Sequence, residues 1–323
     1  MTAFGDTRLA GAACALVLGC AIVSPAGLRA QVGAIPSRLV WYDRTGNMLG
    51  VLGDRADYGS IELSPDGRRL AVALLDGERR SGDIWMFDVA TGRRTQFTSD
   101  PADENWALWS PDGRRVAFNS TRAGSLDLYQ TPAGGGAPEE VLLQDQIAKW
   151  PVSWSPDGRF ILYVTNSAAA RNNDIWVLPL SGDRKPYRFI ETPAEDNWAS
   201  FSPDGRWVAF SSTETGQAEV YVVPFPAGSP RRRVSADGGY QARWRRDGRE
   251  IFYLAPQGTL MATSVNGVGA TFEAGLVQPL FQTNILRPPY RAYDATADGQ
   301  RFLVNTLVVK PGTSISVASA NPR

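Results

Sequence analysis

The chain has 323 residues, with 33 Lys+Arg balanced by 33 Asp+Glu and no histidine. Zero net charge supplies no bulk field to draw the whole molecule to nucleic acid or anionic lipid, and without histidine a Ser-His-Asp or Cys-His triad and the commonest zinc ligand sets are excluded. The length suits one large all-β unit or two smaller domains.

In chain order, Arg8 is followed by a charge-free, largely apolar stretch from Leu9 to Leu28 that contains both cysteines, Cys14 and Cys20. Its strongly apolar part, Leu9 to Val23, matches a signal-peptide core better than a membrane span, which needs about 20 apolar residues. Residues 1–30 are therefore expected to be a signal peptide or N-terminal anchor and 31–323 the folded body. Cleavage after Leu28-Arg29-Ala30 gives a chain starting at Gln31, whereas Val17-Leu18-Gly19-Cys20 reads as a lipoprotein box with Cys20 acylated. Both routes place the body outside the cytoplasm, in the periplasm or beyond. No disulfide staples the body, which must stand on its core.

The body is organised by a repeat. Ser-Pro-Asp-Gly stands at 64–67, 110–113, 155–158 and 202–205, with degenerate copies at 245–248 and 296–299. Pro presets the first turn dihedral, Asp caps its own backbone, and Gly accepts positive φ, so each copy is a tight hairpin turn. A short run such as Leu70-Ala71-Val72 or Val116-Ala117-Phe118 follows each turn, apolar on both faces and so sandwiched between layers. Another strand precedes it, as in Trp106–Trp109. A third begins with an acid, at Asp83, Asp127, Asp174 and Glu219, and a fourth, more polar strand follows, as in Arg94–Phe97. Four antiparallel strands per repeat, six times over, fit a six-bladed β-propeller. No helical stripe intervenes.

These turns and the Asp-Ile-Trp or Glu-Val-Tyr strand starts resemble the WD40-like repeats of TolB-type six-bladed propellers, from about Arg38 onward. Similar repeats accompany prolyl-oligopeptidase-type (S9) peptidases and some receptor-type kinases, which makes a sensor propeller one alternative. The nucleophile elbow, the Gly-rich loop and the H-R-D stretch of those catalytic units are absent from the 323 residues. The resemblance thus implies interaction, not chemistry: a monomer binding a protein or peptide in the cell envelope, with no cofactor, no nucleic acid and no membrane contact by the propeller itself.

A circular sheet closes by pairing its ends. Leu39–Asp43 with Met48–Leu52 forms the outer half of a blade, and residues 286–323 its inner strands; both Leu39–Asp43 and Ser314–Ala318 fit its third position. The candidate site is the face where chain enters the innermost strands. Each repeat carries an aromatic seven to nine residues before its turn glycine: Tyr58, Trp106, Trp150, Trp198, Tyr240 and Tyr290. Asp103-Glu104 and Glu195-Asp196 lie beside two of them. Aromatics with carboxylates between could grip a peptide or sugar; packing between blades is the competing role. The four carboxylates could otherwise converge on calcium or act as an acid/base pair, a metal-dependent hydrolase of lactonase or glycosidase type. The arginines at 231–233, 243, 245 and 246 could form a docking patch or lie on a solvated outer strand.

Overall fold

The computed structural model describes residues 36–76, 81–167, 172–267, 271–285 and 290–308. The leader, with Cys14 and Cys20, and the Ser314–Ala318 segment lie outside them. The described residues form six four-stranded antiparallel sheets, the expected six-bladed all-β propeller. The innermost strands, in blade order, are Tyr58–Leu63, Glu104–Trp109, Lys149–Trp154, Asp196–Phe201, Tyr240–Trp244 and Tyr293–Ala295.

Each innermost strand runs into a turn whose chemistry explains its residues. In blade one the Gly67 N–H donates to the Ser64 carbonyl (2.8 Å), and the Ser64 hydroxyl donates to Asp66 (2.6 Å) while accepting the Arg69 N–H (2.9 Å). Asp66 also accepts the Arg68 N–H at 3.1 Å. The same Ser–Asp bond of 2.6 Å recurs in blades two to four, and Thr296 serves in blade six. Blade five has Arg245 in place of the serine, and its guanidinium takes both oxygens of Asp247 at 2.7 and 2.6 Å. The Ser64 hydroxyl holds the Asp66 carboxyl below the usual carboxylate range, and Arg245 does the same for Asp247. The six turn glycines have φ between 66° and 76°, where any side chain is strained.

The strand after each turn is enclosed by neighbouring blades: Leu70, Ala71, Val72, Val116, Phe118, Val208 and Phe210 have no exposed surface. Each leucine, valine or phenylalanine so enclosed contributes about 1.5–3 kcal/mol by leaving water. Blade six is shared by both ends of the described chain, in the order Met48–Ala56, Ser37–Asp43, Arg301–Leu307, Tyr293–Ala295. Ser37 pairs with Leu307 and Asp43 with Arg301, so Leu39–Asp43 takes the third position and the ambiguity over that strand is resolved.

Candidate functional site

The six predicted aromatics do not form one ring. Tyr58 and Tyr290 stand nine residues before their glycine, Trp150 and Tyr240 eight, and Trp106 and Trp198 seven. Alternate strand positions face opposite ways, so these registers send the side chains to different places. Tyr58 packs between blades six and one, 6.3 Å from Phe87 and with its hydroxyl donating to the Asp54 carbonyl at 2.7 Å. Tyr240 is buried with Phe252 and Tyr293 between blades five and six, and Trp150 packs on the core of blades three and four. Tyr290 is half-buried, its carbonyl accepting the Gln241 side-chain N–H at 2.8 Å.

Trp106 and Trp198 meet, with ring centroids 5.3 Å apart. A bulge in each innermost strand puts them at φ of 54° and 58°, and Gln241 takes the equivalent place in blade five at 57°. Left-handed φ is rare for a bulky residue. Here it brings the indoles of blades two and four into contact. The Arg291 guanidinium lies 6.0 Å from the Trp106 ring.

The four carboxylates near them stay apart. Glu104 is fully buried and paired with Arg122, which also pairs with Glu139; burial pushes its carboxyl up to about 7. Asp196 is fully buried on the Thr192 hydroxyl at 2.8 Å, and burial raises it too. Asp103 accepts the Gly82 N–H at 2.7 Å, and Glu195 is raised by burial. Among the described residues no group of three or more His, Cys, Asp or Glu is placed to hold a metal ion. Of the third-strand acids, Asp127 and Glu219 accept N–H groups of the next inter-blade loop, from Asp145 at 3.0 Å and Gly238 at 3.1 Å. Asp83 instead accepts from Gln96 on the fourth strand at 3.2 Å.

At the other end of the innermost strands a cavity of about 700 Å³ lies among the turns, walled by Pro65, Pro111, Pro156 and Pro203 and by the residues four before each turn glycine, including Trp109, Trp154, Phe201 and Trp244. The indole N–H groups of Trp109 and Trp244 donate to the Glu62 and Ser200 carbonyls of preceding blades, each at 3.1 Å. Their polar edges are thereby satisfied. On the floor, one Glu62 oxygen accepts from Arg243 (2.7 Å) and from Arg291, which also donates to the Val152 carbonyl at 2.8 Å. Asp294 lies 3.9 Å from Arg243 and accepts the Leu63 N–H at 2.8 Å. Burial and the neighbouring Arg243 bring Arg291 down to about 10, while burial raises Asp294. The aromatics at the starts of the innermost strands do not lead to this mouth, which lies at the strands' other ends. Its signal was the run Leu63, Trp109, Trp154, Phe201, Trp244, Ala295, always four residues before the glycine.

Zero net charge conceals a polarity. The six turn segments 64–69, 110–115, 155–160, 202–207, 245–250 and 296–301 hold ten arginines against seven carboxylates. Five of the inter-blade loops on the opposite face (57, 97–103, 144–148, 191–195 and 234–239) hold seven carboxylates and no Lys or Arg. The arginines grouped in sequence between blades four and five disperse in space: Arg231 pairs with Glu214, Arg243 lies on the cavity floor, and Arg245 serves its turn.

A family model described as the TolB beta propeller domain matches residues 55–172 and again 153–271. An uncharacterized protein of Agrobacterium fabrum is 29% identical over 175 residues, 52% of this chain and 55% of its own. An uncharacterized peptidase of Bacillus subtilis is 26% identical over 208 residues, 50% of this chain and 31% of its own. The chain thus spans about half, or less, of the length of these relatives. A solved structure described as a putative TolB from Agrobacterium tumefaciens has a TM-score of 0.64 at 19% identity, over 86% of this chain and all of that one, a likeness of fold.

Proposed function

The chain belongs to the TolB β-propeller domain family, and we propose that it is an exported, non-catalytic module that binds a protein or peptide partner in the cell envelope. The observation that carries this reading is the cavity of about 700 Å³ among the turns, with proline and indole walls over a charged floor. A concave apolar site with a few convergent polar groups is how proteins hold small segments of a partner. At the Trp106–Trp198 face, the other candidate, the two indoles are engaged with each other. Export is supported by the uncharged Leu9–Leu28 stretch behind Arg8. The non-catalytic reading is supported by the absence of histidine and by carboxylates committed to turns and strand starts.

Photo-cross-linking tests it. A benzophenone amino acid at Val89, on the cavity wall, should yield a defined adduct with one envelope protein, whereas the same group at Glu191 on the opposite face should not. Adducts from Glu191 alone would move the site, and turnover of a lactone or phosphoester by the purified chain would overturn the non-catalytic reading.

A further inference from the structure

The cavity does not end at the axis. A second recess of about 520 Å³ between blades six and one is lined by Trp41, Leu49, Arg68, Asp88, Val89 and Arg301. Trp41, Gly67, Val89 and Arg301 line both, so the two form one trough running from the axis to the outer strand of blade six. Such a shape fits an extended chain and not a compact small molecule.

The charges along it are unevenly committed. Asp66 and Asp298 bond their own turns, and Asp88 accepts the Thr91 N–H and hydroxyl at 2.8 and 2.6 Å. Arg301 lies over the Trp41 ring at 5.5 Å, and the Arg246 guanidinium donates to the Pro65 carbonyl at 2.6 Å. Among the described residues, no carboxylate stands within ion-pair distance of Arg68, Arg246 or Arg301, although the arginines of other turns have such partners. The carboxylates here are held by neutral hydroxyl and N–H groups of their own turns, which leaves these three guanidiniums without a direct ion-pair partner.

Building on the partner-binding reading above, we infer that the trough takes an acidic, extended segment of the partner, its carboxylates meeting Arg68, Arg246 and Arg301 and an apolar side chain lying against Trp41 and Val89. The seven carboxylates of those five inter-blade loops repel such a segment, so the molecule's polarity also orients the approach.

The test uses the full chain and three fluorescein-labelled octapeptides of alternating Glu/Val, Gln/Val and Lys/Val, read by anisotropy. The Glu peptide should bind at least tenfold more tightly than the Gln peptide and weaken as salt is raised, and the Lys peptide should not saturate. The double variant Arg68→Glu/Arg246→Glu should lose that advantage while melting like the parent chain, and Arg55→Glu, away from the trough, should not. A Gln or Lys peptide binding as well as the Glu peptide overturns the acidic occupant but leaves partner binding standing. Failure of all three peptides alongside a Val89 adduct does the same. Salt-sensitive self-association abolished by the double variant would make the occupant a second copy and also overturn the inference.

Discussion

Trp106 separates packing from recognition in one set of measurements. Its side chain is 7% exposed, 5.3 Å from Trp198 and 6.0 Å from the Arg291 guanidinium. Truncation to alanine should cost about 3–5 kcal/mol through lost burial and the space left behind. The ring pair itself accounts for roughly 0.5–1.5 kcal/mol, which a double-mutant cycle with Trp198→Ala should return as coupling. The backbone adds a sharper signature. At an ordinary strand position glycine is worse than alanine by about 0.5–1 kcal/mol. At a φ of 54° the alanine Cβ is itself penalised by roughly 1–2 kcal/mol, so Trp106→Gly should be no worse than Trp106→Ala. Urea unfolding at neutral pH reads all four variants, and thermal melts should follow at about 2 °C per kcal/mol in a domain this large. Refutation would be a Trp106→Ala loss under about 1 kcal/mol, additive behaviour with Trp198→Ala, or glycine clearly worse than alanine.

Three further outcomes follow from the turns, the buried acids and the closure. The turn aspartates lie below their ordinary 3.8, so their contribution is present above that pH and is lost as pH falls; Glu104 lies near 7, so its folded form favours the proton and stability declines as pH rises from 4.5 through 7. Stability measured against pH should therefore peak at about pH 4–5, and Glu104→Gln should flatten the decline toward pH 7 with little effect near pH 4. Ser110→Ala removes a hydroxyl that donates to Asp112 at 2.6 Å and accepts the Arg115 N–H at 2.9 Å; denaturant titration should show a loss of about 1–2 kcal/mol. A chain starting after Ala56 lacks the two outer strands of blade six and leaves Arg301–Leu307 as an edge; light scattering should report aggregation, and a monomer melting like the parent would refute the closure.

Fold and repeat were written in the sequence because turn chemistry is local: Ser64, Asp66 and Gly67 interact within a few residues, and the same tetrapeptide imposes the same hairpin wherever it occurs. Even the degenerate copy at 245–248 keeps its turn, by substituting a guanidinium for a hydroxyl. What the sequence left open depended on contacts between distant segments. Third place in blade six went to Ser37–Asp43 through pairing with Arg301–Leu307. A bulge in five of the six innermost strands shifts a side chain from one face to the other, so aromatics spaced seven, eight and nine residues before their glycines went to the axis or between blades, and spacing alone could not order them. Charge was hidden for the same reason: a sum over the chain is blind to which loops share a face, and only the ring of blades gathers the arginines around the cavity and the inter-blade carboxylates at the far end, because propeller geometry puts every turn on one side.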